Sequence, residues 1–397
     1  MIAVIGGGPA GLFAAEHLAA AGREVVVFER MPSVGRKFLM AGRGGLNLTH
    51  SEGFEAFVAR YGAAADWLRP RLESFPPDAL VAWAGGLGQP TFVGSSGRVF
   101  PKALKASPLL RAWLARLAGL GVEVRTRHDW LGWSDDGALR FRTPEGEVAV
   151  RPEATILALG GASWPRLGSD GGWTAALAGA GARVAPLRPA NMGFDVAWSP
   201  VLAGFAGQPL KGIALTFGGV TVRGEAMVTR YGLEGGAIYA LSAPLRDAIA
   251  AEGSAVLLID LRPDQTQAEL AARLSRPRGG QSMANHLRKA ARLSPLEINL
   301  LREAHGKALP DAPEALSRAI KNVPVRLTGA QGLARAISTA GGVALADLDD
   351  DLMLTARPGV FVAGEMLDWE APTGGYLLQA TFATARAAAE GVLRRLG

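Results

Sequence analysis

The first thirty residues alternate between short apolar runs and one alanine-rich segment, and this pattern predicts a strand, a helix and a second strand. Residues 2–5 form an apolar run. Residues 12–21 are rich in alanine and leucine and are followed by Gly22, which is typical of a helix and its C-terminal cap. A second strand is predicted at residues 24–28, where Glu24 is followed by the apolar residues VVVF, and it ends in Glu29. We therefore expect a β–α–β unit at the start of the chain.

Two later segments have the pattern of strands in a parallel sheet. Residues 154–159 are apolar throughout and run into a glycine pair, and residues 359–363 are apolar and lead into a glycine and an acid. Continuous apolar strands of this kind are covered on both faces, as in α/β domains. An alanine-rich helix is predicted over residues 376–395. The two ends of the chain are therefore expected to form one α/β domain.

The middle of the chain has a different pattern. Residues 54–117 are mostly helical in character, and residues 139–150 alternate around a Pro-Glu-Gly turn, as in a hairpin. Between residues 192 and 261, short strands punctuated by glycine and proline predict a small antiparallel sheet or barrel. Residues 267–274 and 285–305 then predict helices. We expect the stretch that begins near residue 192 and includes these last helices to be an insertion into the α/β domain.

The segment at residues 35–50 is too rich in glycine for a helix and too charged for a buried strand. Such a segment suits a backbone that runs beside a ligand. Its Arg36, Lys37 and Arg43 are candidates to contact phosphate groups, and Asn47 offers an amide to the edge of a ring. The alternative is a surface loop with no ligand.

Composition restricts the kind of protein. A chain of 397 residues exceeds the usual size of one hydrophobic core, so two or three domains are expected. It is 49% hydrophobic and 20% charged, as an ordinary globular protein is, and no apolar run reaches the length of a membrane span. The N-terminus begins directly with a strand and lacks the basic segment and cleavage site of a signal peptide. The sequence therefore predicts a cytoplasmic protein with no membrane partner.

The absence of cysteine excludes several kinds of chemistry. With 0 Cys, the chain has no disulfides, thiolate nucleophiles, cysteine-ligated metals or iron–sulfur clusters. The 5 histidines lack the spacing of zinc sites, so no metal is expected. The net charge of +6 is modest for this length. The basic residues of the helices predicted after residue 267 have no interleaved aromatics, which favours a solvated surface over a nucleic-acid partner.

The turn after the first strand has the spacing G-x-G-x-x-G at Gly6, Gly8 and Gly11. Gly6 allows a sharp turn, Gly8 lets the backbone approach a pyrophosphate, and Gly11 lets the helix pack tightly on the sheet. Pro9 and Ala10 open the helix, whose free N–H groups and dipole favour the diphosphate charge. The motif has the structural context of a dinucleotide site, since a strand precedes it and a helix follows it.

Glu29 lies with 17 residues between it and Gly11, at the end of the second strand, where it can accept hydrogen bonds from an adenosine ribose. Its carboxylate would repel a 2′-phosphate, so FAD or NAD is expected rather than NADP. FAD also needs a site along its ribityl chain and ring. Glu365 can bind that chain, and the helix after Gly375 can direct its N-terminal amides at the flavin N1 and C2=O. This second site favours FAD; the alternative is an ordinary strand and helix joined by a glycine turn.

Together these segments give a set of candidate cofactor-binding residues. Trp130 is included as a candidate for contact with the adenine, with a place in the core as the alternative. The full set is Gly6, Gly8, Pro9, Ala10, Gly11, Glu29, Arg30, Arg36, Lys37, Gly42, Arg43, Gly44, Asn47, Trp130, Gly160, Gly161, Gly364, Glu365, Gly374, Gly375 and Tyr376.

Four blocks of the sequence resemble a known family. They are residues 6–29; residues 35–49; residues 224–242, GEAMVTRYGLEGGAIYALS; and residues 340–379, which include VFVAGEMLD and TGGYLLQ. In these blocks the chain resembles the bacterial BaiN-type (BaiN/RdsA-like) NAD(P)/FAD-dependent oxidoreductases, which include a bile-acid reductase and an aminoacetone oxidase. The resemblance implies an α/β, Rossmann-like FAD-binding domain interrupted by a β-rich insertion and a small helical domain.

The corresponding boundaries are residues 1–190 and 326–397 for the two parts of the FAD-binding domain, 191–263 for the β-rich substrate domain and 264–325 for the helical domain. The chain departs from the family pattern at three motifs. Residues 42–47 read GRGGLN where the family has G-G-G-R-C-N, so the usual cysteine is missing. Residues 229–236 read TRYGLEGG against T-H-x-G-L-S-G-P, and TGGYLLQ replaces T-G-G-Y-N-L-Q. The resemblance therefore implies FAD binding but no particular substrate.

The sequence thus predicts an FAD-dependent oxidoreductase that transfers a hydride between flavin and a small organic substrate bound between the FAD-binding domain and the insertion. NAD(P)H is a candidate diffusible reductant. The alternatives are an oxidase of a small amine, a non-catalytic FAD-binding redox protein and, as a further class, a flavin-dependent tRNA-modifying enzyme. No acid or base is assigned. The candidates for catalysis are Arg43, Asn47, His50, Arg230, Tyr231 and Glu234.

Overall fold

The computed structural model describes residues 1–41, 45–306 and 308–397, and the chain divides into two compact units. The first unit comprises Met1–Pro189 and Leu333–Gly397, and the second comprises Ala190–Gly332. The two ends of the chain therefore fold together. Among the described residues, no helix has both the length and the apolar character needed to cross a membrane.

The described strands are between 2 and 9 residues long. They are β1 (Ile2–Ile5), β2 (Val25–Glu29), β3 (Thr49–His50), β4 (Thr91–Val93), β5 (Arg98–Pro101), β6 (Glu123–Thr126), β7 (Asp129–Trp133), β8 (Leu139–Thr143), β9 (Gly146–Val150), β10 (Ala154–Leu157), β11 (Val184–Ala190), β12 (Phe194–Asp195), β13 (Pro209–Phe217), β14 (Val220–Val228), β15 (Gly232–Glu234), β16 (Ala255–Asp260), β17 (Val323–Leu327), β18 (Gly329–Ala330), β19 (Ser338–Val343) and β20 (Val360–Val362).

The described helices range from single turns to one of 21 residues at the C-terminus. They are α1 (Pro9–Ala20), α2 (Arg36–Ala41), α3 (Phe54–Ala59), α4 (Ala65–Ser74), α5 (Pro77–Gly86), α6 (Ala106–Gly119), α7 (Thr174–Gly179), α8 (Pro200–Ala203), α9 (Gly236–Ala240), α10 (Ser242–Glu252), α11 (Gln267–Leu274), α12 (Met283–Ala290), α13 (Pro295–His305), α14 (Pro313–Lys321) and α15 (Tyr376–Leu396).

A parallel sheet of five strands, in the order β20-β10-β1-β2-β6, forms the centre of the first unit. When the five strands are numbered along the chain and the sheet is read from β6 to β20, the order is 3-2-1-4-5, as in the predicted Rossmann fold. The order of strand addition reverses between β1 and β10, and open sheets of this kind bind ligands outside the carboxyl ends of the strands at that point. The fully apolar segments of β1 and β10 are buried, as the sequence pattern indicated.

Aromatic contacts join two helices of the first unit to each other and join the parallel sheet to antiparallel strands. The rings of Phe13 in α1 and Phe382 in α15 lie 4.7 Å apart, so the first and last helices pack together. On β2, Phe28 stacks on Phe141 of the β7–β8–β9 meander at 4.4 Å, and both rings are buried. The predicted hairpin over residues 139–150 corresponds to β8 and β9.

The second unit is built on an antiparallel sheet of seven described strands in the order β17-β16-β13-β14-β15-β12-β18. This sheet agrees with the antiparallel structure predicted from the short, punctuated runs. The helices α11–α14 follow β16 in the chain, and β17 then returns to pair with β16 along its length.

Two details of the predicted secondary structure are wrong. A helix was not expected in residues 35–50, yet residues 36–41 form α2, because the glycines lie at its ends and Phe38 is buried. The helical stretch predicted at residues 285–305 is divided into α12 and α13. Arg292 has φ 54° between them, and Ser294 and Glu297 form a capping box at the start of α13.

Gly11→Ala is expected to destabilise the first unit, because the added Cβ would overlap the backbone carbonyl oxygen of Gly6. A backbone atom in a tight turn cannot move aside as a flexible side chain can. We expect the free energy of unfolding to fall by at least about 2 kcal/mol, measured by urea denaturation of the apoprotein.

Gly8→Ala is the matched control, since a Cβ there meets no described atom within 4 Å. Its free energy of unfolding should stay within about 1 kcal/mol of the wild-type value, because the preference for glycine over alanine at an N-cap is offset by the lower entropy of the unfolded chain. Equal losses in the two variants would contradict a packing role for Gly11.

Candidate active site

The carboxyl ends of β1, β2 and β10 open into a cavity of about 1000 Å³ lined by residues of the first unit. This volume is at the upper end of the usual range for small-molecule and cofactor sites. The turn after β1, the end of β2 and the turn after β10 all contribute to its wall. The cavity therefore lies where the strand order of the sheet places a ligand.

The glycine turn after β1 leaves the start of α1 open to this cavity. Gly6 has φ 109°, and a Cβ there would overlap the carbonyl oxygen of Ala158, which follows β10. The two turns are therefore in backbone contact. At Gly8 an added Cβ would meet only open space, and Gly8 lines the cavity. A diphosphate can approach the first amides of α1 here, since helix N-termini favour negative charge.

Glu29 is fixed by two backbone hydrogen bonds at the end of β2. Its Oε2 accepts from the N–H of Gly7 at 2.7 Å and its Oε1 from the N–H of Met31 at 2.8 Å. Burial raises the pKa of Glu29, and the two backbone hydrogen bonds act in the opposite direction. A carboxylate oxygen can accept more than one hydrogen bond. Both oxygens can therefore still accept from the hydroxyls of a ribose in the cavity.

Three buried polar atoms in cavity-lining residues have no hydrogen-bond partner among the described residues. They are Nε of Arg36, Oδ1 of Asn47 and Nε1 of Trp130. Leaving such an atom unsatisfied costs about 1–3 kcal/mol. Two donors and one acceptor can therefore form hydrogen bonds with a ligand. FAD has suitable acceptors and donors along its length, in its adenine, its phosphates and its ring. The residues present fit that cofactor.

Lys37 and Glu365 are brought together at the cavity wall although they lie far apart in the sequence. Their side chains form an ion pair at 2.7 Å, and Lys37 also donates to Oγ of Ser163 at 2.5 Å. The other oxygen of Glu365 accepts from the N–H of Thr339 at 3.0 Å. The charge of Lys37 is therefore matched within the protein, where the sequence alone suggested a phosphate contact.

The start of α15 is held against β3 beside the cavity. A Cβ on Gly375 would lie 2.5 Å from the backbone of Thr49, and the Tyr376 hydroxyl donates to Glu52. His50 stacks on Tyr376 with ring centroids 5.5 Å apart. Nε2 of His50 lies 3.0 Å from the carbonyl oxygen of Ser96, and its Nδ1 accepts from the N–H of Glu52 at 3.1 Å. Both ring nitrogens of His50 therefore form hydrogen bonds with backbone groups.

Most of the candidate residues that the structure describes lie around this one cavity. Those that line it are Gly6, Gly8, Pro9, Ala10, Glu29, Arg30, Arg36, Lys37, Asn47, Trp130, Gly160, Glu365, Gly374 and Gly375. Those in the first unit that do not line it are Gly11, His50, Gly161, Gly364 and Tyr376. Arg230, Tyr231 and Glu234 belong to the second unit, where the Tyr231 hydroxyl donates to Glu234. The predicted contacts of Gly42, Arg43 and Gly44 fall outside the described residues.

One part of the cavity wall was not predicted. The segment after Gly160 contributes Trp164, Ser169, Asp170 and Trp173. Trp173 donates to the carbonyl oxygen of Gly160 at 2.9 Å, and Asp170 pairs with Arg30 at 2.8 Å. A sequence signal was present, because Gly-Ser-Asp-Gly-Gly at residues 168–172 closely follows the end of a buried parallel strand. Arg98 on β5 also lines the cavity, and no local motif marks it.

The fold and the cavity define an FAD-binding, Rossmann-type oxidoreductase. The chain belongs to the HI0933-like protein Rossmann domain family, whose sequence profile matches residues 1–391. A curated relative is the 3-dehydro-bile acid delta(4,6)-reductase of Clostridium scindens, which is 26% identical over 98% of this chain and 99% of the relative. The ribosomal RNA dihydrouridine synthase of Escherichia coli is 24% identical over 98% of this chain and 97% of the relative.

Solved structures show the same fold at lower sequence identity. The 3-ketosteroid delta1-dehydrogenase of Sterolibacterium denitrificans has a TM-score of 0.56 at 14% identity and covers 99% of both chains. The 3-ketosteroid-delta4-(5alpha)-dehydrogenase of Rhodococcus jostii has a TM-score of 0.53 at 16% identity, over 98% of this chain and 95% of that one. These likenesses support the predicted fold class, and with the family they confirm the predicted flavoenzyme.

Glu29→Gln is expected to weaken FAD binding about 10- to 100-fold. The amide has one acceptor oxygen, whereas the two backbone N–H groups of Gly7 and Met31 each donate to a carboxylate oxygen. The dissociation constant is measured by the change in flavin fluorescence when FAD is titrated into the apoprotein. Glu73→Gln, on the exposed surface of α4, is the control and should bind FAD as the wild type does. Wild-type affinity in Glu29→Gln would contradict the ribose contact.

Proposed function

We propose that this flavoenzyme reduces a carbon–carbon double bond conjugated to a carbonyl group, by hydride transfer to a small organic substrate. The observation that carries the proposal is the cavity at the ends of β1, β2 and β10, whose unsatisfied polar atoms fit FAD. The names of the curated relatives support the reaction class. A 3-dehydro-bile acid with double bonds at positions 4 and 6 and a uridine ring both have an alkene conjugated to a carbonyl.

Each end of the cavity has its own task in this proposal. At one end, Glu29 orients the adenosine ribose, and the N-terminal amides of α1 with Arg36 bind the diphosphate. At the other end, the N-terminal amides of α15 stabilise negative charge at the flavin N1 and C2=O. When bound, FAD supplies the hydride chemistry. The protein supplies position, electrostatics and the exclusion of water.

Apolar side chains near the start of α15 provide the surface for the substrate. Trp369, Leu377 and Leu378 line the cavity close to Gly375, together with the amide of Asn47. A mostly apolar wall with a few polar groups is typical of sites for small organic molecules. The proposed reductant is NAD(P)H, which binds transiently and leaves before the substrate is reduced.

The reaction is tested by anaerobic stopped-flow spectroscopy of the FAD-loaded protein. NADH or NADPH is expected to bleach the oxidised flavin band, and cyclic enones are expected to restore it. A photoreduced sample tests the second half-reaction independently of the nucleotide. Reoxidation by oxygen alone, with no response to any conjugated enone, would exclude the reductase and favour the alternative of an oxidase or a non-catalytic flavoprotein.

A uridine within RNA is the second candidate substrate, because two curated relatives are named ribosomal RNA dihydrouridine synthases. The exposed residues Arg276, Arg288 and Lys289 on and near α12 offer positive charge. Arg278, however, is paired with Asp311 at 3.2 Å. These side chains are also not interleaved with aromatics, so the small molecule is favoured.

RNA binding separates these two candidates. A ribosomal RNA fragment is expected to bind only weakly at low salt, and binding should be lost at physiological salt, as for a nonspecific contact of a mildly basic protein. Filter binding at several salt concentrations measures this. Retention of tight binding at physiological salt, together with formation of dihydrouridine, would replace the small-molecule proposal.

A further inference from the structure

The structure assigns a substrate-binding role to Arg98: its guanidinium binds the carbonyl or carboxylate oxygen of the substrate at the flavin end of the cavity. This inference rests on the proposed function, because it names the group that would recognise the oxygen of a conjugated carbonyl compound. No sequence motif marks Arg98. Two observations support this role: Arg98 lines the cavity, and no described acidic side chain pairs with its guanidinium.

Strand pairing places Arg98 near the start of α15. Glu29 at the end of β2 fixes the adenosine end. Arg98 begins β5 and lies opposite His50 of β3 in the antiparallel register. His50 stacks on Tyr376, the first residue of α15. Arg98 therefore lines the cavity beside the helix N-terminus that is expected to face the flavin ring.

Among the charges around the cavity, Arg98 is a cation that no described acidic side chain neutralises. Three other cationic side chains in the cavity wall form ion pairs: Arg30 with Asp170, Lys37 with Glu365, and Arg142 with Asp129. The guanidinium of Arg98 has no hydrogen-bond or ion-pair partner within the described ranges, although the residue is half-buried. A partly buried charge of this kind is stabilised by a ligand with negative or partial negative charge.

A second cation, Arg36, forms no salt bridge with the residues that the structure describes and lies at a different part of the cavity. Within the same residues, its side chain donates to Oγ of Ser33 at 3.2 Å. It follows Gly35, whose N–H donates to the carbonyl oxygen of Gly7 at 2.8 Å. Arg36 is thus attached to the glycine turn and is suited to the diphosphate. Arg98, at the flavin end of the cavity, can therefore bind an oxygen of the substrate.

The reaction chemistry gives Arg98 a defined task. When a hydride bonds to the β-carbon of a conjugated carbonyl compound, the two π electrons of the double bond move toward the carbonyl oxygen, which becomes an enolate oxygen. The α-carbon then takes up a proton. A guanidinium remains protonated in proteins, so Arg98 does not supply that proton. It donates hydrogen bonds to the oxygen, whose negative charge grows as the hydride arrives.

Arg98→Gln and Arg98→Lys are compared with wild type, each loaded with FAD. Arg111→Gln is the control, because Arg111 is exposed on α6 and is absent from the cavity wall. Benzoate, a planar carboxylate, is titrated against the absorption spectrum of the oxidised flavin. We expect saturable binding to wild type and to the control, about 10- to 100-fold weaker binding to Arg98→Gln, and an intermediate effect in Arg98→Lys.

Two further measurements separate a substrate contact from a flavin contact and from a structural role. The FAD dissociation constant and the flavin midpoint potential should not change in Arg98→Gln. A changed midpoint potential with unchanged benzoate affinity would mean that Arg98 faces the flavin and would overturn the inference. So would an absence of benzoate binding to wild type, or an equal affinity in Arg98→Gln.

Reaction with enones tests the proposed function separately. With photoreduced protein, the rate of flavin reoxidation by a cyclic enone should fall about 100- to 1000-fold in Arg98→Gln, as when a donor to a developing oxyanion is removed. An equal rate in wild type and Arg98→Gln would overturn the inference. If no enone reacts with wild type while benzoate binding depends on Arg98, the proposed reaction fails and the anion-binding role of Arg98 stands.

Discussion

The close contact of three stretches of backbone at the centre of the parallel sheet is the constraint on which the site depends. Gly11 in α1 lies against the carbonyl oxygen of Gly6, and Gly6 lies against the carbonyl oxygen of Ala158. No side chain can occupy either place, so α1 begins immediately at the sheet edge. Its first amides consequently face the cavity and not the core.

The charged side chains of the cavity wall are held in place by hydrogen bonds and ion pairs within the same unit. Glu29 accepts hydrogen bonds from the N–H groups of Gly7 and Met31, so its two side-chain oxygens are fixed at the end of β2. Most of the described cations in the wall are neutralised by an acid of the same unit. Among the described residues of the wall, a few polar atoms have no hydrogen-bond partner, and we expect the cofactor and the substrate to supply one.

The parts of this site that could be predicted from the sequence are those built from neighbouring residues. The glycine turn and Glu29 lie within one β–α–β unit, and their spacing alone specifies their geometry. The capping box at Ser294 and Glu297 is equally local and was overlooked, although its sequence signature is present. Local patterns therefore predict the fold class and one end of the cavity.

The other end of the cavity could not be predicted, because its contacts join distant parts of the chain. The pair of Lys37 with Glu365 spans 328 residues, and the contact of Glu52 with Tyr376 spans 324. Neither contact has a periodic or motif signature, and each depends on how the last segment returns to the first sheet. The role of Arg98 emerges only when the partners of the other cations in the wall are known.

This difference between the two ends also explains where the chain can diverge from its family. The adenosine end is specified by backbone contacts that tolerate almost no substitution, so the glycine spacing is retained. At the other end the wall includes the side chains of Asn47, Leu377 and Leu378, and the sequence there reads TGGYLLQ at residues 373–379. Changes in these side chains alter the surface offered to a substrate while leaving the backbone that binds the cofactor intact. Members of one fold family can therefore keep the same cofactor site and differ in the substrate that they bind.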